Sequence, residues 1–302
     1  MNEYLPTTPF DIYELHLLQL VAKHGSFTRA GEIAGLTQSA ITRQVQGMET
    51  ALGIPLLERT TRRVRPTPAC EFLLRETRRI LADIDTALLR LREKYADAPR
   101  EVRVGVSRTV SLAHLPGIFF ANQRKHPEIL TRVSHQSSRE IIEALDSGDL
   151  DIGVITAPVK LPTSLRITHS FKDDFALIAP RPYAPPAENS RWPGWLAAHP
   201  HLLIHEDSST GRSLREWLKQ QKAAPAAAPA MQLDSFDLII HLVALGMGVA
   251  FVPRRALATH PRKKLLQQIP LPQRFTRDLV ILTRKQKSSP PHITQFVENI
   301  LF

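Results

Sequence analysis

Gln38, Ser39, Thr42 and Arg43 sit in this 302-residue chain at spacings that could bring base-reading chemistry to one surface. Gln38 and Thr42 are four apart, as are Ser39 and Arg43, and residues four apart stack one above the other on an α-helix. A glutamine can form two hydrogen bonds with adenine, and an arginine can read guanine or hold a phosphate. The spacing leaves both roles open for Arg43. Thr37 stands just before the group, where its hydroxyl can cap the helix. A capped helix start offers free amides and the positive end of a dipole to phosphate. A second group, Arg59, Arg62, Arg63 and Arg65, follows at once and runs into Pro66. On a short hairpin these arginines could straddle a minor groove or the backbone beside it. A helical hairpin with a merely solvated face fits the first spacing too; the basic hairpin next to it favours duplex DNA.

The flanking residues predict the elements that must hold these groups. Leu15, Leu18, Val21 and Ala22 give an apolar stripe to a helix over 11–23, ended by His24-Gly25. Ser26 can cap a second helix over 27–34, in which Ala30 and Gly31 permit close approach. Gly35 supplies the turn and Leu36 a plug for the core. A third helix over 38–51 places Ile41, Val45 and Met48 on its inner face, opposite the polar row. Thr67 or Pro68 opens a long helix over 68–94, with Phe72, Leu73, Ile80, Ile84, Ala87, Leu88 and Leu91 as an apolar seam. A helix of that length with one greasy edge needs a partner, either a second copy of itself or the same chain. Asp97-Ala98-Pro99 reads as a hinge.

Charge alone does not locate the DNA face. The chain carries 39 Lys or Arg against 29 Asp or Glu, a formal net charge of +10, which favours a polyanionic partner. Residues 1–100 hold 14 basic and 12 acidic residues, so most of the surplus lies beyond them. Cys70 is the single cysteine, which rules out an intrachain disulfide and fits a reducing cytosol. It reads as a small apolar helix residue. No apolar run is long enough for a membrane span, and the N-terminal residues lack a secretory pattern, so a cytoplasmic location is expected.

Residues 12–70 resemble the N-terminal module of LysR-type transcriptional regulators. The run that carries the likeness is GSFTRAGEIAGLTQSAITRQVQGMETALGIPLLERTTRRVRPTPAC. The family usually has proline at Ser39, serine at Thr42, leucine at Pro66 and glycine at Cys70. The first two departures lie by the DNA face and can alter the sequence read. The resemblance implies a winged helix-turn-helix, dimers paired into tetramers, and DNA bending.

From Glu101 the pattern changes to alternating strands and helices. Strands are predicted at 102–106, 130–134, 151–155, 175–179, 202–205, 248–252 and 279–283. Helices are predicted from 109 to about 122 and over 138–147, 213–220, 235–245 and 293–301. This is the grammar of a mostly parallel, helix-covered sheet. Residues 181–195 and 221–230 read as irregular, because prolines break them. Crossovers near 160–174 and 270–280 divide the sheet into two lobes with a cleft between them. Ligands of such folds sit at strand ends, where helix starts point inward. Those ends carry Ser107, Arg108 and Thr109 in one lobe, and His205, Ser208, Ser209, Thr210 and Arg212 in the other. Ser137 and Ser138 begin a helix on the same rim. Hydroxyls and arginines at helix starts suit a carboxylate or another small anion.

LDSGDLDIGVI at 145–155 and LVALGMGVAFVPR at 242–254 extend the resemblance, since this half of LysR-type regulators is similar to periplasmic binding proteins. The likeness carries Ser107, Thr109, Ser138 and Ser208 over as effector contacts; Arg108 and Arg212 come from charge alone. The expected fold is α/β, with an all-α winged helix-turn-helix before a two-lobed, periplasmic-binding-protein-like domain. Expected limits are 1–66 for the DNA-binding domain and 67–98 for the linker helix and hinge. The effector domain spans 99–302, with lobe I at 99–168 and 274–302 and lobe II at 169–273. Expected partners are double-stranded DNA, a small effector, further copies of the chain as dimer or tetramer, and RNA polymerase, but no membrane. No cofactor, metal site or catalytic residue is expected: HExxH, GxSxG, Walker A and CxxC patterns are missing. The adjacent His205-Glu206-Asp207 cannot share one face of an extended chain. The rival reading is a solute-binding protein of the periplasmic type.

Overall fold

The computed structural model describes residues 9–59, 64–95, 100–110, 112–188, 191–223, 231–285 and 289–300. The chain divides into two compact units, Met1–Leu88 and Leu89–Phe302.

Three short helices begin the first unit: α1 (Ile12–His24), α2 (Phe27–Ala34) and α3 (Gln38–Leu52). Each starts on a side chain that accepts from an orphan amide, Asp11 for α1, Ser26 for α2 and Thr37 for α3. Each ends on a glycine in the left-handed region, Gly25, Gly35 and Gly53, where any other residue would be strained. Leu18, Val21, Ile41, Val45 and Met48 interlock in the core, together with Leu17. Gly31 makes the turn possible: a Cβ there would lie 2.6 Å from the Leu36 carbonyl oxygen.

Strands β1 (Leu57–Arg59) and β2 (Val64–Pro66) form a two-stranded antiparallel hairpin, with Glu58 opposite Arg65. The Glu49 carboxylate of α3 accepts from the amides of Leu56 and Leu57 at 2.8 and 3.0 Å. That contact ties the wing to α3. The long helix α4 (Pro68–Tyr95) follows, capped by Thr67, whose hydroxyl accepts from the Cys70 amide. Its apolar residues fall in two surroundings. Cys70 and Leu81 enter the core of the first unit, with Leu73 and Leu74 packed against it. Phe72, Ile80, Leu88, Leu91 and Tyr95 are exposed. The Cys70 thiol is fully covered, and burial, reinforced by Glu71 and Glu49, pushes its pKa up to about 11. A thiol in that state is a packing group rather than a nucleophile.

The second unit is built on strands β3 (Glu101–Ser107), β4 (Leu130–Gln136), β5 (Ile152–Thr156), β6 (Leu165–Pro180) and β7 (His201–Ile204). It continues with β8 (Met231–Leu233), β9 (Val249–Pro253), β10 (Leu266–Ile269) and β11 (Thr276–Arg284). The sheet runs in the order β4-β3-β5-β11-β6-β9-β7-β8, and β10 pairs with β6. Within each lobe the strands are parallel: β3 beside β4 and β5, β7 beside β8 and β9. The expectation of a mostly parallel sheet fails at the crossovers. β6 carries the chain out of lobe I and β11 brings it back, so the two run antiparallel and impose antiparallel pairing on β5, β9 and β10.

β6 is 16 residues long, where the sequence predicts only 175–179. Its first ten residues run along β11 in lobe I, with Thr168 passed over at a bulge; from Phe175 it pairs with β9 in lobe II. Polar residues such as Lys172, Asp173 and Asp174 hide that continuity from a hydrophobicity pattern. Helices α5 (Leu115–Lys125), α6 (Ser138–Ser147) and α11 (Pro291–Glu298) cover lobe I. A 3-10 turn at Leu112–His114 delays α5 beyond the predicted start. In lobe II, α8 (Ser209–Gln220) begins four residues earlier than predicted, and α9 (Phe236–Ala244) follows. Two helices there have no counterpart in the prediction: α7 (Trp192–Ala197) and α10 (Arg254–Thr259). α7 corrects the reading of 181–195 as wholly irregular; Trp192 is buried and stacks on Trp217 at 5.7 Å between ring centroids. The alanine-proline stretch at 224–230 and the hinge at 97–99 lie outside the described residues.

Candidate functional site

The polar row of α3 faces solvent at Gln38, Ser39 and Arg43. Thr37 accepts from the Ala40 amide at 3.2 Å and stands 3.1 Å from the Ser39 hydroxyl, so the helix start is ordered by its own side chains. Thr42 departs from the expected row. It is half-buried, and its Oγ1 is covered without a hydrogen-bond partner. The hydroxyl is therefore not open to solvent as Gln38 is. Arg65 is exposed on the wing, and the Arg59 backbone pairs with Val64 in the hairpin. Arg62, Arg63 and the Arg59 side chain lie outside the described residues.

The second predicted group converges on one cleft of about 1140 Å³ between the lobes. Ser107, Arg108, Thr109, Ser137, Ser138, His205, Ser208, Ser209 and Arg212 all line it. Local structure explains how. Ser107 ends β3, and its Oγ lies 3.2 Å from the Thr109 hydroxyl and accepts from Ser138 at 3.3 Å. Ser137 caps α6 in a reciprocal box with Glu140. Ser208 caps α8: its Oγ accepts from the Gly211 amide at 2.9 Å and donates to the His205 carbonyl at 2.7 Å. Arg212 donates to the Asp207 carbonyl at 2.5 Å, which braces its guanidinium beside the helix start. Two helix N-termini and three arginines, Arg108, Arg139 and Arg212, thus border one space.

Thr210 is the exception and corrects the expectation of an effector contact there. It is fully buried and bonded into the core instead. Its hydroxyl lies 2.9 Å from that of Thr156 and accepts from Arg277 Nη1 at 2.8 Å. Arg277 in turn donates from Nε and Nη2 to Asp173 Oδ2 at 3.0 and 2.8 Å. His114 Nε2 approaches Asp173 Oδ1 at 3.2 Å. The Arg277 guanidinium also lies over the rings of Phe175 and Phe236, 5.2 and 5.3 Å from their centroids. Burial raises the Asp173 carboxyl pKa, but the hydrogen bond with His114 and the charge of Arg277 outweigh it and hold that pKa below the usual range.

Several lining residues escape the sequence reading. On α6 they are Arg139, Ile142 and Glu143; on α8 they are Ser213, Glu216, Trp217 and Gln220. On α8 the helical period from Ser209 finds them at steps of four, seven, eight and eleven; on α6 Ile142 lies four residues from Ser138 and Glu143 four from Arg139. The cleft carries both signs of charge: Arg108, Arg139 and Arg212 line it together with Asp207, Asp234, Glu143 and Glu216, and Arg139 pairs with Glu143 at 2.9 Å. The Trp217 indole N–H is buried without an acceptor. His205 pairs with Asp207 at 3.5 Å, and Glu206 pairs with Arg215. Among the described residues no group of three or more His, Cys, Asp or Glu is placed to hold a metal ion, and no helix is long and apolar enough to cross a membrane.

Comparison with known proteins bears on both halves. Residues 12–71 match the bacterial regulatory helix-turn-helix protein family of lysR type, and residues 96–301 match the LysR substrate binding domain. A probable RuBisCO transcriptional regulator from Trieres chinensis is 27% identical over 286 residues, covering 93% of each chain. Full-length OxyR from Pseudomonas aeruginosa has a similar structure, with a TM-score of 0.73, 21% identity, and coverage of 96% of this chain and 94% of that one. CbnR, solved with its target DNA, superposes with a TM-score of 0.64 at 22% identity, covering 96% of this chain and 99% of that one. The helix-turn-helix match removes the rival reading of a solute-binding protein without a DNA module. With two successive family domains spanning the chain from residue 12 to residue 301, the protein belongs to the LysR family and is a LysR-type transcriptional regulator.

Proposed function

We propose that this regulator is cytoplasmic, binds a two-fold operator in double-stranded DNA through paired winged modules, and is switched by a small carboxylate or related anion held between its lobes. Thr37, Gln38, Ser39 and Arg43 enter the major groove, and Arg59, Arg62, Arg63 and Arg65 hold the flanking backbone or minor groove. The effector lies among Ser107, Arg108, Thr109, Ser137, Ser138, His205, Ser208, Ser209 and Arg212. One observation supports the effector reading above the others: three chain segments far apart in sequence bring hydroxyls, three arginines and two helix starts to one cleft.

The helix α4 makes the dimer. Phe72, Ile80, Leu88 and Leu91 are exposed, and burying side chains of this size is worth roughly 1.5–3 kcal/mol each. Two dimers form a tetramer that engages RNA polymerase from bent DNA. Functional limits follow the expected ones, 1–66, 67–98 and 99–302, with the lobes exchanging the chain along β6 and β11. An effector shifts the arrangement of dimers only by binding one arrangement more tightly than another.

The test is to map genomic DNA bound by the protein, then to screen metabolites of the neighbouring operons for altered operator affinity. A carboxylate that shifts wild-type affinity and leaves the Arg108→Gln/Arg212→Gln variant unresponsive supports the cleft. An effector that acts equally on both proteins places its site elsewhere.

A further inference from the structure

Lobe II carries a concentration of positive charge that neither DNA reading nor the effector cleft uses. Residues 254–264, RRALATHPRKK, contain five Lys or Arg and no Asp or Glu. The fold adds a sixth cation. Antiparallel pairing of β10 with β6 sets Leu266 opposite Pro180, so the Arg181 amide donates to the Leu265 carbonyl at 3.0 Å. Arg181, Arg254 and Lys263 then line one pocket of about 360 Å³, floored by Leu257, Leu266 and Gln267.

These cations are held in place without being neutralised. Arg181 Nε donates to the Lys264 carbonyl at 2.7 Å, Arg254 Nη1 to the Gln268 side-chain oxygen at 2.8 Å, and Lys263 Nζ to the Ala258 carbonyl at 2.7 Å. Every acceptor is a neutral amide oxygen. The contrast with other arginines is plain: Arg103, Arg132, Arg139 and Arg277 each face a carboxylate within 2.9 Å. No carboxylate lines the pocket. The floor is fixed as well, since the Gln267 amide nitrogen donates to the carbonyls of Pro180, Arg181 and Tyr183. Three oriented cations around a small floor leave several N–H donors and an unbalanced field.

We propose that this pocket is a second anion site, separate from the cleft, that binds a small phosphate-bearing molecule. A phosphate monoester carries about −1.5 to −2 near neutrality and three acceptor oxygens, which matches two guanidinium groups and an ammonium better than a single carboxylate does. The pocket volume falls at the small end of the range for metabolite sites, roughly 300–1,000 Å³. Phosphates of the DNA backbone share the chemistry, and the experiment separates the two sources.

The full-length protein is titrated with inorganic pyrophosphate by calorimetry at low ionic strength, where exposed charges are least screened. Three proteins are compared: wild type, Arg254→Gln/Lys263→Gln, and Arg212→Gln in the cleft. The expected result is binding by wild type and by Arg212→Gln, with the dissociation constant raised about tenfold or more in the double variant. Loss of binding in Arg212→Gln alone would move the anion into the cleft and overturn the proposal. So would an absence of pyrophosphate binding by folded wild type. Each protein is also titrated with a random DNA duplex over a range of salt. If the double variant lowers the salt slope by about two while pyrophosphate does not bind, the patch serves the DNA backbone and the small-molecule site is rejected.

Discussion

Arg277 and Asp173 stand directly opposite each other on β11 and β6, and both nitrogens that Arg277 presents, Nε and Nη2, bond to the same carboxylate oxygen. The pair sits one residue pair away from the point where β6 leaves β11 and joins β9. Thr156 of lobe I and Thr210 of lobe II meet the third nitrogen, Nη1. One guanidinium thus bridges both lobes and the first turn of α8. Removing one member of a buried ion pair strands the other and costs about 3–5 kcal/mol. Arg277→Met should therefore lower stability strongly, measured as the urea midpoint of the C-terminal unit's transition. The joint variant Arg277→Met/Asp173→Leu should recover much of the loss. A single variant as stable as wild type would show that the pair does not hold the lobes.

Acid should erase the Asp173 contribution. Its carboxyl pKa in the fold lies below the ordinary value of 3.8. A lowered folded pKa stabilises above the unfolded value and is lost as pH falls through the folded one. The stability gap between wild type and Asp173→Asn should be constant from neutral pH down to about pH 5 and close only below the ordinary carboxylate value. A gap that closes between pH 7 and 5 would assign the effect to a histidine instead.

On α3, Arg43→Ala should weaken operator binding while leaving the fold intact, because the side chain is exposed. A bidentate base contact is worth about 1–3 kcal/mol of discrimination, so specific affinity should fall roughly five- to 150-fold, with less effect on random DNA. An equal loss on both DNAs would make Arg43 a phosphate contact, and unchanged footprints would remove it from the interface. Thr42→Ala should do far less, since its hydroxyl is already covered.

Leu88→Glu should reduce assembly, read by sedimentation, without unfolding the winged module, because Leu88 is half-exposed at 50%. Retention of the original oligomer would shift the interface away from this helix.

Gly211→Ala tests the α8 start without touching an exposed residue. A Cβ at Gly211 would lie 2.2 Å from the His205 carbonyl oxygen, so the helix must move off β7. The expected result is a lower melting temperature together with weaker binding of any cleft ligand. Unaltered ligand affinity would separate the helix start from the cleft.

Local chemistry and periodicity were legible where they agree: Ser26, Thr37 and Ser137, expected at helix starts, each accept from a backbone amide in the first turn, whereas the Ser208 and Ser235 caps were not foreseen. The Ile41, Val45 and Met48 stripe is fully buried. The sequence reading failed where tertiary pairing overrides local pattern. β6 is half polar by sequence and continuous only because β11 supplies its partner. α7 opens at Trp192 and Pro193, a start allowed because the missing amide needs no partner there, and a buried Trp192 then anchors it. Thr210 resembled its neighbours Ser208 and Ser209 in type, and only the facing Arg277 shows that its hydroxyl turns inward. The α6 and α8 residues deeper in the cleft were legible in principle from helical spacing, but not which of them share a wall.

The unbroken course of β6 limits the kind of signal these lobes can exchange. A pleated chain that slips by one position turns every side chain to the opposite face, and β6 has buried residues registered against β11 on one half and β9 on the other. Sliding along that strand is therefore costly, and rotation of one lobe against the other about the shared strand is the movement its pairing leaves open.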